Sequence, residues 1–497
     1  MEKILYKSTR GKGGLITASE AILMGIAEDG GLFVPSRIPK LELSLDELMD
    51  MDFKSLAYYV MKDYLQDFSE TEIRECIDNA YDDKFDTPEI APVVKKGDLY
   101  FLELFHGPTL AFKDMALSIL PYLLKCAAKK QKLEKEIIIL TATSGDTGKA
   151  ALEGFTGVPG TRIIVFFPEN GVSQIQKKQM VTQTGDNTHV IGINGNFDDA
   201  QTGVKQMFTD KELLLRMAGR NCIFSSANSI NIGRLIPQTV YYFYAYLQLC
   251  KMGDIKAGEE INFTVPTGNF GNILAGFYAK NMGLPVKNLI CASNENKVLY
   301  DFMNTGVYNK RRDFITTMSP SMDILVSSNL ERLLFSLCGE DGEKVSELMS
   351  QLSGAGEYMI NDRIKERLTG FYGVYASETD TAEAIREMYE KSGYVIDTHT
   401  AVAYAAYKKY REQDNNDNTR TVIVSTASPY KFTVDVMKSI DSKYSGLNDF
   451  GLIKEMSLLT KTEIPKGIRD LDKKPVLHST VCEKHEMKGQ IEKILAL

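Results

Sequence analysis

The chain has 497 residues, of which 43% are hydrophobic and 25% charged, the composition of a globular protein with a sizeable core and room for two or three domains. Its formal net charge of −8 argues against a nucleic-acid binder, because contact with phosphates needs a basic excess. The seven cysteines are scattered and form no C-x-x-C pair, which indicates reduced thiols in a cytoplasmic enzyme rather than a disulfide framework.

Neither a secretory signal nor a membrane span is expected. The first residues, MEKILYKSTRGKGG, are charged and contain no apolar run. The most apolar segment, YYFYAYLQLC (residues 241–250), is short and aromatic, unlike a membrane span. We therefore expect a cytoplasmic protein without a membrane partner.

Short apolar runs alternate with glycine-rich or polar loops and helical patterns, which is typical of an α/β fold with a largely parallel sheet. The predicted strands lie at residues 136–140, 162–167, 189–193, 261–266, 288–293 and at the start of 421–437. Ligands in such folds bind at the carboxyl ends of the strands, so the loops that follow them are candidate sites.

The domain organisation is predicted from changes in pattern along the chain. Residues 1–95 form an N-terminal domain, and residues 96–445 form the core. Within this core we expect a smaller subdomain around 135–235 and a helical insertion at about 330–370. The C-terminal segment, residues 446–497, packs on the core.

Two loops between a strand and a helix have the composition of anion-binding loops. In GNFGN (residues 268–272), two glycines let the backbone approach an anion, and the next helix supplies free N–H groups. An ordinary turn is an equally good interpretation of these residues alone. In TSGDTG (residues 143–148), Ser144 and Thr147 could hold a carboxylate or phosphate, whereas the loop alone favours Asp146 as a helix cap.

Two further segments place polar side chains before a helix or after a strand. NSINIGRLIPQ (residues 228–238) contains Arg234, whose guanidinium suits a phosphate, although a structural ion pair is the commoner outcome. VSTASPYKF (residues 424–432) contains Ser425 and Thr426. A hydroxyl there either bonds a cofactor ring nitrogen or caps the next helix, and capping is favoured for the segment alone.

Lys113 lies in HGPTLAFKDMAL (residues 106–117), between Phe112 and Asp114. Such a lysine either extends its stem along the surface or holds an amine for covalent chemistry. Combined with a glycine-rich anion loop and a strand-end hydroxyl, it meets the needs of a pyridoxal phosphate enzyme. The lysine forms the Schiff base, the loop binds the cofactor phosphate and the hydroxyl meets the pyridine nitrogen. No metal site is expected.

Eight motifs then occur in one order along most of the chain. They are YKSTRG, ILMGIAEDGGLFVP, ELFHGPTLAFKD, TATSGDTGKAALEGF, FSSANSINIGRLIPQTVYY, PTGNFGNILAGFYAK, SPSMDILVSSNLERLLF and GYVIDTHTAVAY. With these motifs the chain resembles threonine synthases of the longer type found in many bacteria and fungi. The resemblance implies the fold-type II, tryptophan-synthase-β-like pyridoxal phosphate architecture, with parallel sheets flanked by helices and an extra N-terminal domain. It also implies conversion of O-phospho-L-homoserine and water to L-threonine and phosphate by γ-elimination and β-hydration.

Carried over residue by residue, the resemblance implies that Lys113 is the catalytic, Schiff-base lysine, and that Thr426 rather than Ser425 contacts the pyridine nitrogen. The residues implied at the cofactor phosphate are Gly268, Asn269, Phe270, Gly271 and Asn272. Those implied beside the substrate carboxylate and the O3′ side of the cofactor are Ser144, Asp146 and Thr147, with Asp146 at the cofactor. Those implied at the substrate phosphate are Asn228, Ser229 and Arg234.

The chain departs from the family pattern at two places. The family has TAHPAKF where this chain has TASPYKF, so Ser428 replaces a histidine and Tyr430 an alanine; DTHTAV stands where the family has DPHTAV. The first change lies beside the expected ring-nitrogen contact and therefore concerns its local geometry.

Two other functions are compatible with the motifs. One is a threonine synthase-like phospho-lyase that acts on another phospho-amino acid, such as O-phosphothreonine. The other is a binding or regulatory homologue without catalysis, against which the intact Lys113 and GNFGN loop argue. The expected partner is a small-molecule substrate, with no nucleic acid, and we expect a monomer, with a dimer as the alternative.

Overall fold

The computed structural model describes residues 3–143, 145–414 and 417–497. The strands are β1 Tyr6–Ser8, β2 Phe33–Pro35, β3 Val93–Lys96, β4 Leu99–Glu103, β5 Glu136–Ala142, β6 Thr161–Pro168, β7 Thr188–Asn194, β8 Cys222–Ser225, β9 Ile261–Pro266, β10 Val286–Ser293, β11 Val307–Asn309, β12 Glu357–Met359, β13 Phe371–Tyr375, β14 Arg420–Ser425 and β15 Val481–Glu483.

The α-helices lie between and after these strands. They are α1 Ala18–Met24, α2 Leu45–Met49, α3 Phe53–Lys62, α4 Glu70–Ala80, α5 Asp114–Leu117, α6 Leu120–Lys130, α7 Asp146–Phe155, α8 Gln174–Val181, α9 Phe197–Thr209, α10 Lys211–Gly219, α11 Ile232–Lys251, α12 Gly271–Met282, α13 Val298–Thr305, α14 Leu330–Leu337, α15 Gly342–Gly354, α16 Asp362–Lys365, α17 Glu378–Ser392, α18 Thr398–Gln413, α19 Thr433–Ile440, α20 Asp449–Thr460 and α21 Met487–Leu495.

The larger sheet has the strand order β13-β10-β9-β14-β4-β3. Its neighbouring strands pair in parallel, except that β3 and β4 are antiparallel. The central strand β9, INFTVP, is buried at every position, as expected for a parallel sheet covered on both faces. The pairing of β14 with both β9 and β4 brings the carboxyl ends of these three strands to one edge.

The smaller sheet has the order β15-β7-β6-β5-β8 and is parallel throughout. Four of its strands come from residues 136–225, and the C-terminal segment adds β15 at the edge beside β7. Helix α7 leaves the carboxyl end of β5, so the loop that contains Asp146 lies at the corresponding edge of this second sheet.

The long helix α11 forms the centre of the main core. Its aromatic side chains Tyr241, Tyr242, Phe243 and Tyr246 are wholly buried, and Phe53 of the N-terminal region packs edge-on against Tyr244. This helix contains the apolar segment YYFYAYLQLC. Of the helices that the structure describes, none combines the length and apolarity required to cross a bilayer.

The α/β class and the strands predicted from the sequence are confirmed. The other strands, namely β1 to β4, β8, β11 to β13 and β15, were not predicted, because each has five residues or fewer. The region 330–370 contains α14 and α15, as a helical insertion requires, but it also contributes β12, which pairs with β11. The predicted domain boundaries stay a prediction.

Helices α5 and α7 approach each other closely at Gly154. Replacing Gly154 by alanine should lower the free energy of unfolding by about 1–3 kcal/mol, because the added methyl group would overlap the carbonyl oxygen of Leu117. Urea denaturation measures this change. Gly354→Ala, at the end of α15 where no atom lies within 4 Å of the new carbon, is the control and should change stability by less than about 0.5 kcal/mol. Equal effects of the two substitutions would contradict the close approach.

Candidate active site

The turn before α5 lies against the residues that follow β14. The backbone N–H of Phe112 donates to the Thr426 oxygen at 2.8 Å, and that of Ser428 donates to the Leu110 oxygen at 3.0 Å. Because β4 and β14 are parallel neighbours, these loops leave the same edge of the sheet. Lys113 and Thr426 are thereby brought together from positions far apart in the sequence.

Asp114 holds the turn that presents Lys113. Its carboxylate accepts hydrogen bonds from the Thr109 backbone N–H at 2.8 Å and from the Thr109 hydroxyl at 2.6 Å. A Cβ at Gly107 would lie 2.5 Å from this carboxylate, so the turn requires glycine there. Burial raises the pKa of Asp114 to about 6. Asp114 therefore organises the turn and does not pair with the lysine.

Lys113 points into the protein, and its side chain is 12% exposed. Its Nζ lies 3.5 Å from Asp146 Oδ2, donates to Ser321 Oγ at 3.1 Å and lies 5.5 Å from the centre of the Phe112 ring. Burial lowers the pKa of the amine, and the positive charges of Lys431 and Arg234 lower it further against the opposing effect of Asp146. The interpretation of Lys113 as a surface lysine is thus wrong.

Asp146 is the buried anion that joins these groups. Its Oδ1 lies 2.7 Å from Lys431 Nζ and accepts from Gln176 Nε2 at 2.9 Å, and its Oδ2 accepts from Ser321 Oγ at 3.2 Å. Burial alone would raise the pKa of Asp146, but Lys431 and Lys113 hold it well below its usual range. The carboxylate does not cap α7, where Gly145 is the N-cap, so the interpretation of Asp146 as a cap is wrong.

Ser321 is anchored to a buried histidine. Its backbone N–H donates to His399 Nε2 at 3.1 Å, and His399 Nδ1 lies 2.7 Å from Asp397 Oδ2. The ring nitrogen that accepts from Ser321 is therefore unprotonated, and Nδ1 carries the proton.

Three residues that contact Asp146 were missed by the sequence analysis, namely Lys431, Ser321 and Gln176, and so was His399, which contacts Ser321. Gln176 lies outside the motifs, but Lys431, Ser321 and His399 lie inside TASPYKF, SPSMD and DTHTAV, which belong to the family pattern. Their membership in those motifs was the available signal, but no local spacing connects them to Asp146.

The loop of residues 268–272 precedes α12 with an unusual backbone. Phe270 has φ +62° in the left-handed region, and a Cβ at Gly268 would lie 2.6 Å from the Ser321 carbonyl oxygen. No described side chain caps the first turn of α12. Asn272 binds Tyr241 and Tyr242 through its Oδ1, while its buried Nδ2 has no partner among the described residues. Asn269 is exposed, and a Cβ at Gly271 would make only an ordinary contact, 3.5 Å from Asn329 Nδ2.

The segment after β14 shows how the departure from the family pattern is accommodated. Thr426 is buried, and Ser428 is the N-cap of a short 3-10 helix, Pro429–Lys431, so neither Ser425 nor Thr426 is the cap. The Tyr430 hydroxyl lies 3.0 Å from Thr462 Oγ1 in the C-terminal segment. The tyrosine thus turns away from Lys113 and contacts the tail.

Arg234 is buried at the start of α11, 4% exposed, and one of its terminal nitrogens donates to the Ala227 oxygen at 2.9 Å. Over the described ranges it forms no ion pair, and its Nε has no partner. Burial lowers its pKa to about 10. The ion-pair interpretation of Arg234 is therefore wrong.

The other residues predicted at the substrate are placed as follows. Asn228 and Ser229, in the loop before α11, are partly buried, and Thr147 is partly buried in the first turn of α7. Ser144 lies outside the described residues.

His106 lies beside the site but faces away from Lys113. Its Nδ1 is 2.5 Å from Asp86 Oδ1 and its Nε2 is 2.9 Å from Glu103 Oε2; Glu103 also accepts from the Tyr394 hydroxyl. Burial disfavours the charged imidazolium, but the two carboxylates raise the pKa of His106 to about 9. His106 therefore fixes the end of β4 to residue 86.

Comparison with known proteins shows the class to which this chain belongs. A family model described as pyridoxal-phosphate dependent enzyme matches residues 86–427. Models of the threonine synthase N terminus and the threonine synthase C-terminal region match residues 5–81 and 400–489. The chain therefore belongs to the threonine synthase family of pyridoxal-phosphate-dependent enzymes.

Individual relatives agree with this assignment. Threonine synthase of Pseudomonas aeruginosa is 39% identical over 87% of this chain and 90% of its own length. Human threonine synthase-like 1 is 40% identical over 86% of this chain, which spans 58% of that relative's length. A crystal structure of pyridoxal phosphate-bound threonine synthase from Brucella melitensis superposes with a TM-score of 0.87, at 33% identity and over 99% of both chains.

The ion pairs of His106 should make stability depend on pH. Because the folded-state pKa of about 9 lies above the ordinary 6.5, the pairs contribute in full below about pH 6.5 and are lost as pH rises through about 9. The loss of unfolding free energy in His106→Gln should therefore be larger at about pH 6 than at about pH 10, as measured by urea denaturation. His189→Gln is the control with the opposite sign: burial lowers the pKa of His189 to about 4, below the ordinary 6.5, so its substitution should cost less unfolding free energy at about pH 6 than at about pH 10. A loss in His106→Gln that grows with pH would contradict the ion pairs.

Proposed function

We propose that this protein is a threonine synthase, which converts O-phospho-L-homoserine and water to L-threonine and phosphate with pyridoxal phosphate as cofactor. The observation that carries the proposal is the pair formed by Lys113 and Arg234. The Lys113 amine, at a side chain that is 12% exposed, has a pKa lowered by burial and further by the positive charge of Arg234, a buried guanidinium that has no ion-pair partner in the described chain. Such a pair suits covalent amine chemistry on a substrate that brings its own anion.

The residues present fit the cofactor. The uncapped first turn of α12 and the unpaired Asn272 Nδ2 suit a phosphate, so residues 268–272 would hold that group. The buried Thr426 would supply the hydroxyl for the pyridine nitrogen. Asp146 would lie at the O3′ side of the ring. When bound, pyridoxal phosphate supplies an extended π-system that accepts electrons from the carbon next to the substrate amine.

Lys113 would be both the covalent attachment point and the base. Because burial and neighbouring cations lower its pKa, a larger fraction of the amine is neutral near pH 7 than for an exposed lysine. Once free, the amine would take the proton from the substrate α-carbon, pass it to the electron-accepting cofactor and, neutral again, take one from the β-carbon, so that the γ-phosphate can leave. It would return protons to the γ-carbon, which becomes the methyl group of threonine, and to the α-carbon once water has added at the β-carbon.

Asp146 and Ser321 would orient that amine. Ser321 accepts its hydrogen bond, and Asp146 limits the fall in its pKa while Lys431 keeps the carboxylate charged. Arg234, with Asn228 and Ser229, would bind the phosphate of the substrate. Ser144 and Thr147 would surround its carboxylate. The protein then discriminates against plain homoserine, which would leave the Arg234 charge unpaired.

Product analysis tests the proposal. The purified protein with pyridoxal phosphate should release threonine and phosphate in equal amounts from O-phosphohomoserine. Lys113→Ala should lose the visible absorbance of the lysine-bound cofactor and lower the rate by about 100- to 10,000-fold or more, because the attachment point and the base are removed together. Lys149→Ala, which removes a similarly buried lysine paired with Glu153, should keep both.

Each other outcome has a defined meaning. Phosphate release with a 2-oxo acid and ammonia, and no threonine, would favour a phospho-lyase, and O-phosphothreonine would then be the better substrate. A colourless protein that binds no pyridoxal phosphate would favour the inactive homologue. Normal turnover by Lys113→Ala would contradict the role of the lysine.

Arg234→Met should damage recognition of the phosphate while the cofactor stays bound. The hydrocarbon stem is kept and the charged hydrogen bonds are lost, so kcat/KM for O-phosphohomoserine should fall about 10- to 100-fold, or ~1.5–3 kcal/mol. Steady-state kinetics measure this, with cofactor absorbance as the check on binding. Arg162→Met, which breaks the ion pair with Glu136 at the other end of β5, is the control. Unchanged kinetics in Arg234→Met would remove Arg234 from the substrate site.

A further inference from the structure

The first turn of α14 joins three parts of the chain. This turn, residues 329–332 (NLER), lies in the motif SPSMDILVSSNLERLLF. The proposed reaction uses Ser321 of this motif but assigns no role to these four residues. Asn329, Glu331 and Arg332 are all buried in it. Each side chain makes contacts outside the helix, so the turn acts as a connection as well as a helix start.

Arg332 divides its donors among three segments. Its Nε donates to the Phe33 oxygen of β2 at 2.9 Å, one terminal nitrogen donates to the Ile230 oxygen at 2.6 Å, and the other donates to Asn329 Oδ1. Ile230 lies between Ser229 and Arg234, inside the proposed substrate-phosphate segment. The planar guanidinium can reach all three acceptors at fixed angles, which a lysine cannot.

Asn329 connects Arg332 to the proposed cofactor-phosphate loop, residues 268–272. Its backbone N–H and its Nδ2 both donate to the Asn269 oxygen, at 3.1 and 3.0 Å. Ser327 donates to the Gly268 oxygen at 2.7 Å. Two carbonyl groups of this loop, those of Gly268 and Asn269, are therefore held by residues at the start of α14.

Glu331 connects the same turn to the N-terminal motif YKSTRG. It accepts from the Thr9 hydroxyl at 2.6 Å and forms a two-pronged ion pair with Arg10, with both nitrogen–oxygen distances 3.0 Å. A second contact from this region reaches the substrate segment, because Asn231 Nδ2 donates to the Ile22 oxygen at 3.0 Å. Residues 9–33 thus contact the substrate segment directly and the cofactor-phosphate loop through α14, without reaching Lys113 in any described hydrogen bond or ion pair.

Arg332 has no carboxylate within ion-pair distance in the part of the chain that the structure describes. Its buried charge is offset by three oxygen acceptors and, at longer range, by Glu331. Burying such a group is costly, and a neutral side chain could fill the volume. The advantage of an arginine here is that it fixes the position of backbone segments that must present N–H groups to anions. A shift of about 0.5 Å is enough to impair such a site.

We propose that Arg332 is a positioning residue that fixes the loop of residues 268–272 and the segment of residues 228–234 against strand β2, so that the N-terminal region forms part of the active site. The proposal rests on the anion-binding roles of these two segments in the proposed function. It gives the motifs YKSTRG and SSNLER a common purpose, the alignment of the two phosphate sites.

The test measures cofactor binding as well as turnover. Arg332→Lys keeps the charge but cannot hold three acceptors. The Kd of the apo-protein for pyridoxal phosphate should rise about tenfold or more, the scale of losing an outer support at a ligand site. The KM for O-phosphohomoserine should rise with it. Backbone amides of residues 228–231 and 269–272 should exchange hydrogen faster, measured well below the midpoint of thermal unfolding.

Arg367→Lys is the matched control. Arg367 is an exposed arginine that donates to the Leu337 oxygen at the other end of α14, at 2.8 Å, and its replacement should leave Kd, KM and exchange unchanged. Arg10→Met tests the N-terminal connection separately and should raise the cofactor Kd severalfold. It decides the proposal if Arg332→Lys does not fold.

The outcomes separate this proposal from the proposed function. A wild-type protein that binds no pyridoxal phosphate would contradict the function itself. If the wild type binds cofactor and makes threonine, but folded Arg332→Lys and Arg10→Met bind cofactor within twofold of it, Arg332 is merely structural and the positioning role is overturned. Lower thermal stability with unchanged Kd and KM would overturn it as well.

Discussion

The buried carboxylate of Asp146 is the group around which the site is organised. A carboxylate removed from water needs compensation, and here it comes from Lys431 at 2.7 Å, Lys113 at 3.5 Å, Gln176 and Ser321. Asp146 starts the helix after a strand of the small sheet, Lys431 follows a strand of the large sheet, and Lys113 lies in the turn between the two sheets. One ion cluster therefore fixes the relation of the two sheets at the edge where a ligand would bind.

The two lysines on this carboxylate are not equivalent. Lys431 is wholly buried and also donates to the Thr109 oxygen at 2.8 Å, so two fixed acceptors hold its amine. Lys113 is partly exposed, makes the longer contact with Asp146, and burial lowers its pKa. Lys431 is thus suited to hold the carboxylate in its charged form, and Lys113 is suited to react. Farther out, the buried Arg332 sets the backbone on which both proposed phosphate sites depend.

The features that could be predicted from the sequence are those whose own neighbouring residues form a recognisable pattern. The strands were recognisable because β9 and β5 are continuous apolar runs, and the GNFGN loop because glycines follow a strand. Lys113 was selected through the resemblance, together with the loop and hydroxyl elsewhere in the chain. Ser321 and Lys431 were not found, because their contacts with Asp146 join residues that are 175 positions apart for Ser321 and 285 (431 − 146) for Lys431. The residues next to Asp146 favour a helix cap, and Arg332 looks like any charged residue of an amphipathic helix. Neither residue lies in a local sequence pattern that indicates the buried network around it.

The most direct test of this account is to identify the lysine that carries the cofactor. Borohydride reduction of the protein loaded with pyridoxal phosphate makes the linkage permanent, and mass spectrometry of its peptides then locates the pyridoxyl group. The account predicts the group on Lys113, in the peptide that contains GPTLAFK, with Lys431 unmodified. A pyridoxyl group on Lys431, or on a lysine away from Asp146, would contradict it.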